Sequence, residues 1–195
     1  MKKIINKEIR IHGRGGQGVV AMAEILAIAF FNDGKIVQAF PHFGVERSGA
    51  PIQSFVRISS QEILTREHVY NPDILIILDF SLLGKADIFS GIKGDTQIII
   101  NSNLKLDEVF REIKKVTKLP VGLETKNIFL IDATRIALEI FGKNMVNTSV
   151  LGALSKVPGL LKVESSIKAV KEKFSEKGPE IIAKNILAIK KSAVN

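Results

Sequence analysis

Gly13, Gly15 and Gly18 stand at G-x-G-x-x-G spacing in the run Ile9-Arg10-Ile11-His12-Gly13-Arg14-Gly15-Gly16-Gln17-Gly18. A short alternating segment precedes them and a long apolar-periodic one follows, so they read as a strand–loop–helix phosphate cradle. In that reading the first glycine makes a tight turn, the second lets the backbone approach a pyrophosphate, and the third lets helix and strand pack closely. Backbone N–H groups at the helix start would face the anion with the helix dipole behind them. Arg14 adds a positive charge beside the glycines, and Gly16 and Gln17 complete the loop. Clustered glycines also serve as plain βα turns, so the loop needs context.

Context narrows the ligand. A nicotinamide site places a carboxylate about 20 residues on, at the end of the second strand, to hold the ribose. Here that strand ends in Gln38-Ala39-Phe40-Pro41, and Asp33 falls in the Asn32-Asp33-Gly34 turn before it, which argues against NAD. The Gly-Lys-Ser/Thr ending of a nucleotide-hydrolysing loop is absent too.

Two further segments carry candidate contacts. The stretch 41–51 spends two prolines, two glycines, Glu46, Arg47, Ser48 and Gly49 on a connection between strands. A constrained polar loop at a strand end is where α/β sheets place ligand contacts. A stiff connection carrying a surface ion pair is the alternative. The second segment is Asn147-Thr148-Ser149 before Leu151-Gly152-Ala153. Asn147 or Thr148 can cap the following helix or meet a ligand, and Gly152 and Ala153 allow a close helix contact. Asp79 and Asp132 each follow a buried strand, as helix caps or as functional carboxylates.

No self-sufficient active site emerges. The chain has no cysteine, which excludes disulfides, thiolate nucleophiles and Cys-ligated clusters within it. His12, His42 and His68 are widely spaced and show no metal-ligand pattern, so each reads as structural or surface. There is no Ser/His/Asp set, and Gly94-Asp95-Thr96 does not continue into a thiamine-diphosphate signature. These residues describe a binding subunit.

The elements that position them alternate. Strands are predicted at 8–12, 36–40, 52–58, 74–78, 97–101 and 128–131, and helices at 17–31, 106–117, 134–141, 149–155, 164–174 and 179–191. Ile74-Leu75-Ile76-Ile77-Leu78 and Ile98-Ile99-Ile100 are solidly apolar, as strands covered on both faces must be. In the first helix Val20, Ala23, Ala27 and Phe30 are assigned to the sheet-facing side. The expected fold is α/β: one three-layer α/β/α domain over 1–195, with a mostly parallel sheet and a helical C-terminal third from about 149. The 41–51 connection is too short for a helical crossover, so an antiparallel pair and a mixed sheet are expected there.

A chain of 195 residues with 46% hydrophobic residues suits one such domain. No apolar run reaches the roughly 18 residues of a membrane span, and the N-terminus does not read as a signal peptide, so a cytoplasmic location is expected. The net charge of +8 comes from lysines dispersed along the last third, without interleaved aromatics. An anionic cofactor or acidic protein partner accounts for it, and nucleic acid is not expected.

The ordered set from His12 to Gly18, Gln38 to Pro41, Phe43 to Pro51, Asn71-Pro72-Asp73, and Asn147-Thr148 with Leu151-Gly152-Ala153 closely resembles the gamma subunits of pyruvate:ferredoxin oxidoreductase (pyruvate synthase). These lie within the 2-oxoacid:ferredoxin oxidoreductases. The resemblance covers 8–159 and loosens through the last helices. It implies a cytoplasmic complex of alpha, beta, gamma and delta subunits that converts pyruvate to acetyl-CoA and carbon dioxide with reduction of ferredoxin, or the reverse. Thiamine diphosphate, Mg and [4Fe-4S] clusters would sit on partner subunits, and the gamma chain would help bind coenzyme A. The residues assigned to that role are Gly13, Arg14, Gly15, Gly16, Gln17, Gly18, Glu46, Arg47, Ser48, Gly49, Asn147 and Thr148. A scaffolding subunit of a related 2-oxoisovalerate, 2-oxoglutarate or indolepyruvate enzyme is the alternative. The residues alone reach only an α/β subunit that binds a phosphate-bearing ligand.

Overall fold

The computed structural model of the chain describes residues 6–42 and 49–194. Six strands form one sheet in the order β2-β3-β1-β4-β5-β6. They are β1 Asn6–Arg14, β2 Ile36–His42, β3 Pro51–Ser59, β4 Ile74–Ile77, β5 Gln97–Asn101 and β6 Ile128–Ile131. β1, β4, β5 and β6 run parallel, while β3 lies antiparallel between β1 and β2. The mixed sheet expected from the short 41–51 connection is therefore present, and β3 is its one reversed strand.

Alternation along the strands builds two separate cores. Ile9, Ile11, Ile74, Ile76 and Ile99 face one side, where α1 (Val19–Asn32), α3 (Ala133–Phe141), α4 (Asn147–Leu151), α5 (Val163–Lys173) and α6 (Pro179–Val194) pack. Leu75, Ile77, Ile98 and Ile100 face the other side, under α2 (Leu106–Val116) and the segment after β4. The solidly apolar strands are thus buried on both faces, because each neighbour along the chain supplies a different layer.

Helix α1 starts at Val19, two residues later than predicted, because Gly18 takes φ +81° at its N-cap and leaves Gln17 outside. Its buried face is Val19, Met22, Ala23, Ile25, Leu26, Ala29 and Phe30. Of the four residues assigned to that face, Ala23 and Phe30 are buried and Val20 and Ala27 are only half-buried. The stretch around 149–155 begins earlier than expected, as α4, and continues from Gly152 to Lys156 as a tighter 3-10 turn. Gly152 sits against the backbone carbonyl of Ile189 and the hydroxyl of Ser192, so the close contact expected there is with α6.

Asn71-Pro72-Asp73 serves the fold. Asp73 exchanges backbone hydrogen bonds with Glu8 and Gln97, and its carboxylate accepts from Glu8 N–H at 2.8 Å. Thr96 Oγ1 donates to the Pro72 carbonyl at 2.9 Å. The motif ties together the starts of β1, β4 and β5.

Candidate functional site

The glycine loop leaves the C-terminal end of β1. α1 carries the chain outward to β2, whereas the connection after β4 leads the other way, to β5. Adjacent parallel strands whose connections diverge leave a crevice at their carboxyl ends, the usual ligand position in open α/β sheets.

Within the loop the three glycine roles are redistributed. Gly13 lies inside β1, paired with Ile52, and makes no turn. A Cβ there would come within 2.6 Å of Val19 Cγ2, so the first glycine is the one that lets helix and strand close up. The turn belongs to Arg14–Gln17, closed by Gln17 N–H donating to the Arg14 carbonyl at 3.1 Å, with Gly16 at φ +95° above open space. Gly15 continues the β1–β3 ladder, donating to the Ala50 carbonyl and accepting from Gly49 N–H.

Gln17 is the loop's internal brace. Its Oε1 accepts from Arg14 N–H at 2.8 Å and its Nε2 donates to Asp79 at 2.9 Å. Arg14 Nε lies 3.2 Å from the same carboxylate, and its other nitrogens donate to Ser81 Oγ and to the Gly49 carbonyl. The cation assigned to a ligand phosphate is therefore committed largely to protein groups that fasten the loop to the ends of β3 and β4. Asp79 also accepts from Ser81 N–H at 2.9 Å, capping the turn after β4. Burial pushes its pKa up, but the hydrogen bonds from Ser81 and Gln17 and the Arg14 charge outweigh this and hold it below the usual carboxylate value.

Gly18 meets the third sequence motif. A Cβ on Gly18 would lie 2.5 Å from Asn147 Nδ2 and 2.7 Å from Asn147 Cγ, so tertiary packing brings two segments 129 positions apart into contact. Asn147 is 4% exposed, and its Oδ1 is buried without a hydrogen-bond partner among the described residues. It caps no helix, since α4 has Val146 at its N-cap. Thr148 is fully buried and donates to Asn185 Oδ1 of α6 at 2.9 Å. The Thr148 hydroxyl, assigned from the sequence to the ligand, is thus spent on α6 in this structure. The first turn of α1 has no side-chain cap and no acidic residue.

A crevice of about 350 Å³ opens beside Gln17 and runs across the ends of β4, β5 and β6. Asp79, Asn101, Asp132 and Thr134 line it, together with Asn103 and Asn144. Asn101 accepts from Ala133 and Thr134 N–H and donates to the Leu78 carbonyl and Thr134 Oγ1, which locks the strand ends to α3. Asp132 caps α3 by accepting from Arg135 N–H at 3.0 Å.

Over residues 8–193 the sequence matches the pyruvate ferredoxin/flavodoxin oxidoreductase family. The chain belongs to that family. Among oxidoreductase relatives, it is 46% identical over 168 residues to the pyruvate/ketoisovalerate oxidoreductases common subunit gamma of Pyrococcus furiosus, covering 86% of each chain. With the pyruvate synthase subunit PorC of Methanothermobacter marburgensis it shares 48% over 170 residues, 87% of this chain and 88% of the relative. The crystal structure of the pyruvate oxidoreductase subunit PORC of Thermotoga maritima superposes with a TM-score of 0.79 at 35% identity, over 97% of this chain and 96% of that one. The gamma-type recognition and the α/β fold with its helical C-terminal part stand on these matches.

In this gamma-type chain the predicted residues Gly13 to Gly18 and Asn147 converge, and Gly49 joins them through Arg14 and Gly15. Glu46, Arg47 and Ser48 lie outside the described residues. Ser81, Asn101, Asn103 and Asn144 escaped sequence reasoning. Their one linear signal is that Asn101 and Ser81 close or follow apolar strands, as Asp79 and Asp132 do. His12 is buried on the sheet face opposite α1, and burial followed by the nearby Arg10 charge pushes its pKa down to about 3. His42 meets His68 edge to face with ring centroids 4.4 Å apart, and His68 stacks on Phe55 at 5.0 Å. Among the described residues no helix is long and apolar enough to cross a membrane.

Proposed function

We propose that the chain is the gamma subunit of a multisubunit 2-oxoacid:ferredoxin oxidoreductase, and that it holds the pyrophosphate of coenzyme A at the start of α1. In this reading alpha, beta and delta subunits carry thiamine diphosphate, Mg and [4Fe-4S] clusters, pyruvate is the 2-oxoacid, and ferredoxin takes the electrons. One observation carries the ligand assignment: α1 presents an uncapped first turn without a carboxylate at the strand-end crevice where the sheet's connections diverge. Such a terminus favours an anion through its free N–H groups and dipole. The residues fit the group, since Gly16 leaves open space over the turn and places no side chain between the backbone N–H groups and a phosphate. The chain's own work is to bind and orient.

The Pyrococcus relative is a subunit common to pyruvate and ketoisovalerate oxidoreductases. That supports placing the choice of 2-oxoacid on partner chains.

The test is a carboxylate in the first turn of α1. Ala21→Glu supplies a side chain that the helix dipole favours but that repels a phosphate. In the reconstituted complex the KM for coenzyme A should rise about tenfold or more, equivalent to ~1.4 kcal/mol, while the chain's thermal stability holds. Ala21→Gln should leave the KM near wild type. Equal KM values for all three proteins would overturn the reading.

A further inference from the structure

The net charge of +8 is not spent at the glycine loop. Arg14 is that loop's one cation, and Asp79, Ser81 and the Gly49 carbonyl hold it. The charge lies instead on the last two helices, α5 and α6, which follow one another and pack side by side. From 156 to 195 the sequence has nine lysines against four glutamates, and no arginine. α5 buries Ser165, Ser166, Ala169 and Val170, which leaves Lys168 and Lys171 on its exposed face. Neither forms an ion pair among the described residues, and nor do Lys162, Lys177 and Lys190. Lys173 and Lys184 are neutralised, by Glu24 and Glu180 at 2.7 Å each.

α6 is apolar on two sides. Asn185, Ala188, Ile189 and Ser192 are buried. Opposite them Ala183, Leu187, Lys190 and Val194 are exposed, at the i, i+4, i+7, i+11 spacing of a coiled-coil seam. Leu187 is 54% exposed and Val194 85%. A helix that repeats its apolar stripe on the outer side is built to be covered there too.

Resting on the reading of the chain as a gamma subunit, we propose that the outer face of α5 and α6 docks on an acidic surface of a partner subunit in the complex. Ala183, Leu187 and Val194 form the dry centre of the contact, and the unpaired lysines form a rim that meets carboxylates. Charge selects the occupant. A second copy related by a twofold axis would set lysine against lysine. Nucleic acid would meet Leu187 and Val194 between the lysines, with no arginine fork or aromatic ring on either exposed stripe to read or stack on it.

The test uses the complex assembled with a tag on its alpha subunit, immobilised and washed with rising salt. The reading is the salt concentration that releases half of this chain. Lys168→Glu/Lys171→Glu should lower it to about half the wild-type value or less, because both charges then repel the acidic rim across a screened gap. Leu187→Asp should lower it as well, by placing a carboxylate in the dry centre. Lys93→Glu/Lys118→Glu makes the same charge change at exposed lysines beside Ile92 and Leu119, on the α2 side of the sheet, and should release as wild type does. Thermal melts followed by circular dichroism check that each variant is folded. If the α5 pair and the α2-side pair release alike, at the wild-type value or below it, the face is not the dock and the proposal is overturned. It is equally overturned if the α5 and α6 variants stay in the complex but lose a duplex DNA probe that wild type binds. If the wild-type chain is not retained by the tagged complex even at low salt, the gamma-subunit reading itself fails, and the proposal with it.

Discussion

Replacing Gly18 by alanine tests whether the contact between the glycine loop and α4 is as tight as the geometry requires. Two penalties act together. At φ +81° a Cβ crowds its own backbone, which costs about 1–2 kcal/mol. The same Cβ would stand 2.5 Å from Asn147 Nδ2 and 2.7 Å from Asn147 Cγ, well inside contact distance. Because Asn147 is 4% exposed, its carboxamide cannot swing clear, and forcing it to move costs about a further 1–3 kcal/mol. The total of ~2–5 kcal/mol corresponds to a fall in Tm on the order of 10 °C for a chain of this size. The penalties separate in a double-mutant cycle. Asn147→Ala removes Cγ and Nδ2 and leaves the 3.0 Å approach to Asn147 Cβ, so it should recover about 1–2 kcal/mol of the Gly18→Ala loss. Urea unfolding of the four proteins, followed by circular dichroism, gives the coupling directly. Strict additivity, or a Gly18→Ala protein as stable as wild type, would refute the argument that Asn147 seats on the loop.

The strand–helix contact at Gly13 admits a parallel test: Gly13→Ala should destabilise by about 1–3 kcal/mol, and Val19→Ala should relieve part of it, because the obstructing atom is Val19 Cγ2 at 2.6 Å. His12 adds a pH dependence of known sign. Its folded pKa is depressed from 6.5 to about 3, so below pH 6.5 the unfolded chain binds a proton that the folded chain does not. Stability should therefore fall as pH drops, by up to about 1.4 kcal/mol per pH unit from this group. Between pH 6.5 and 5, above most carboxylate titration, His12→Gln should show a shallower slope in unfolding free energy, and an unchanged slope would contradict a neutral buried imidazole. Finally, ferredoxin reduction by the purified chain with a 2-oxoacid and coenzyme A should stay at background, since it has no cysteine to hold a cluster. Turnover near that of the assembled complex would contradict its reading as a binding subunit.

Much of the architecture was legible along the chain because it rests on local periodicity. The apolar runs at β4 and β5 could only be strands covered on both sides, and the eleven-residue connection 41–51 was too short to carry a crossover helix. Both features are present. What the line of residues left open was which glycine does what. Spacing assigns the turn to Gly13, but β1 runs on to Arg14 because its ladder with β3 supplies partners for two more residues, which moves the turn to Gly16. Arg14 read as free charge because nothing in linear order shows that Asp79 and Ser81 stand beside it. Thr148 and Asn147 looked alike in the sequence. Only the packing of α4 between α1 and α6 turns one hydroxyl to Asn185 and leaves the neighbouring carboxamide against Gly18. Periodicity and turn chemistry act within a few residues and so determine elements. Charge pairing, hydrogen-bond satisfaction and close approach depend on residues distant in sequence, and tertiary structure alone decided them.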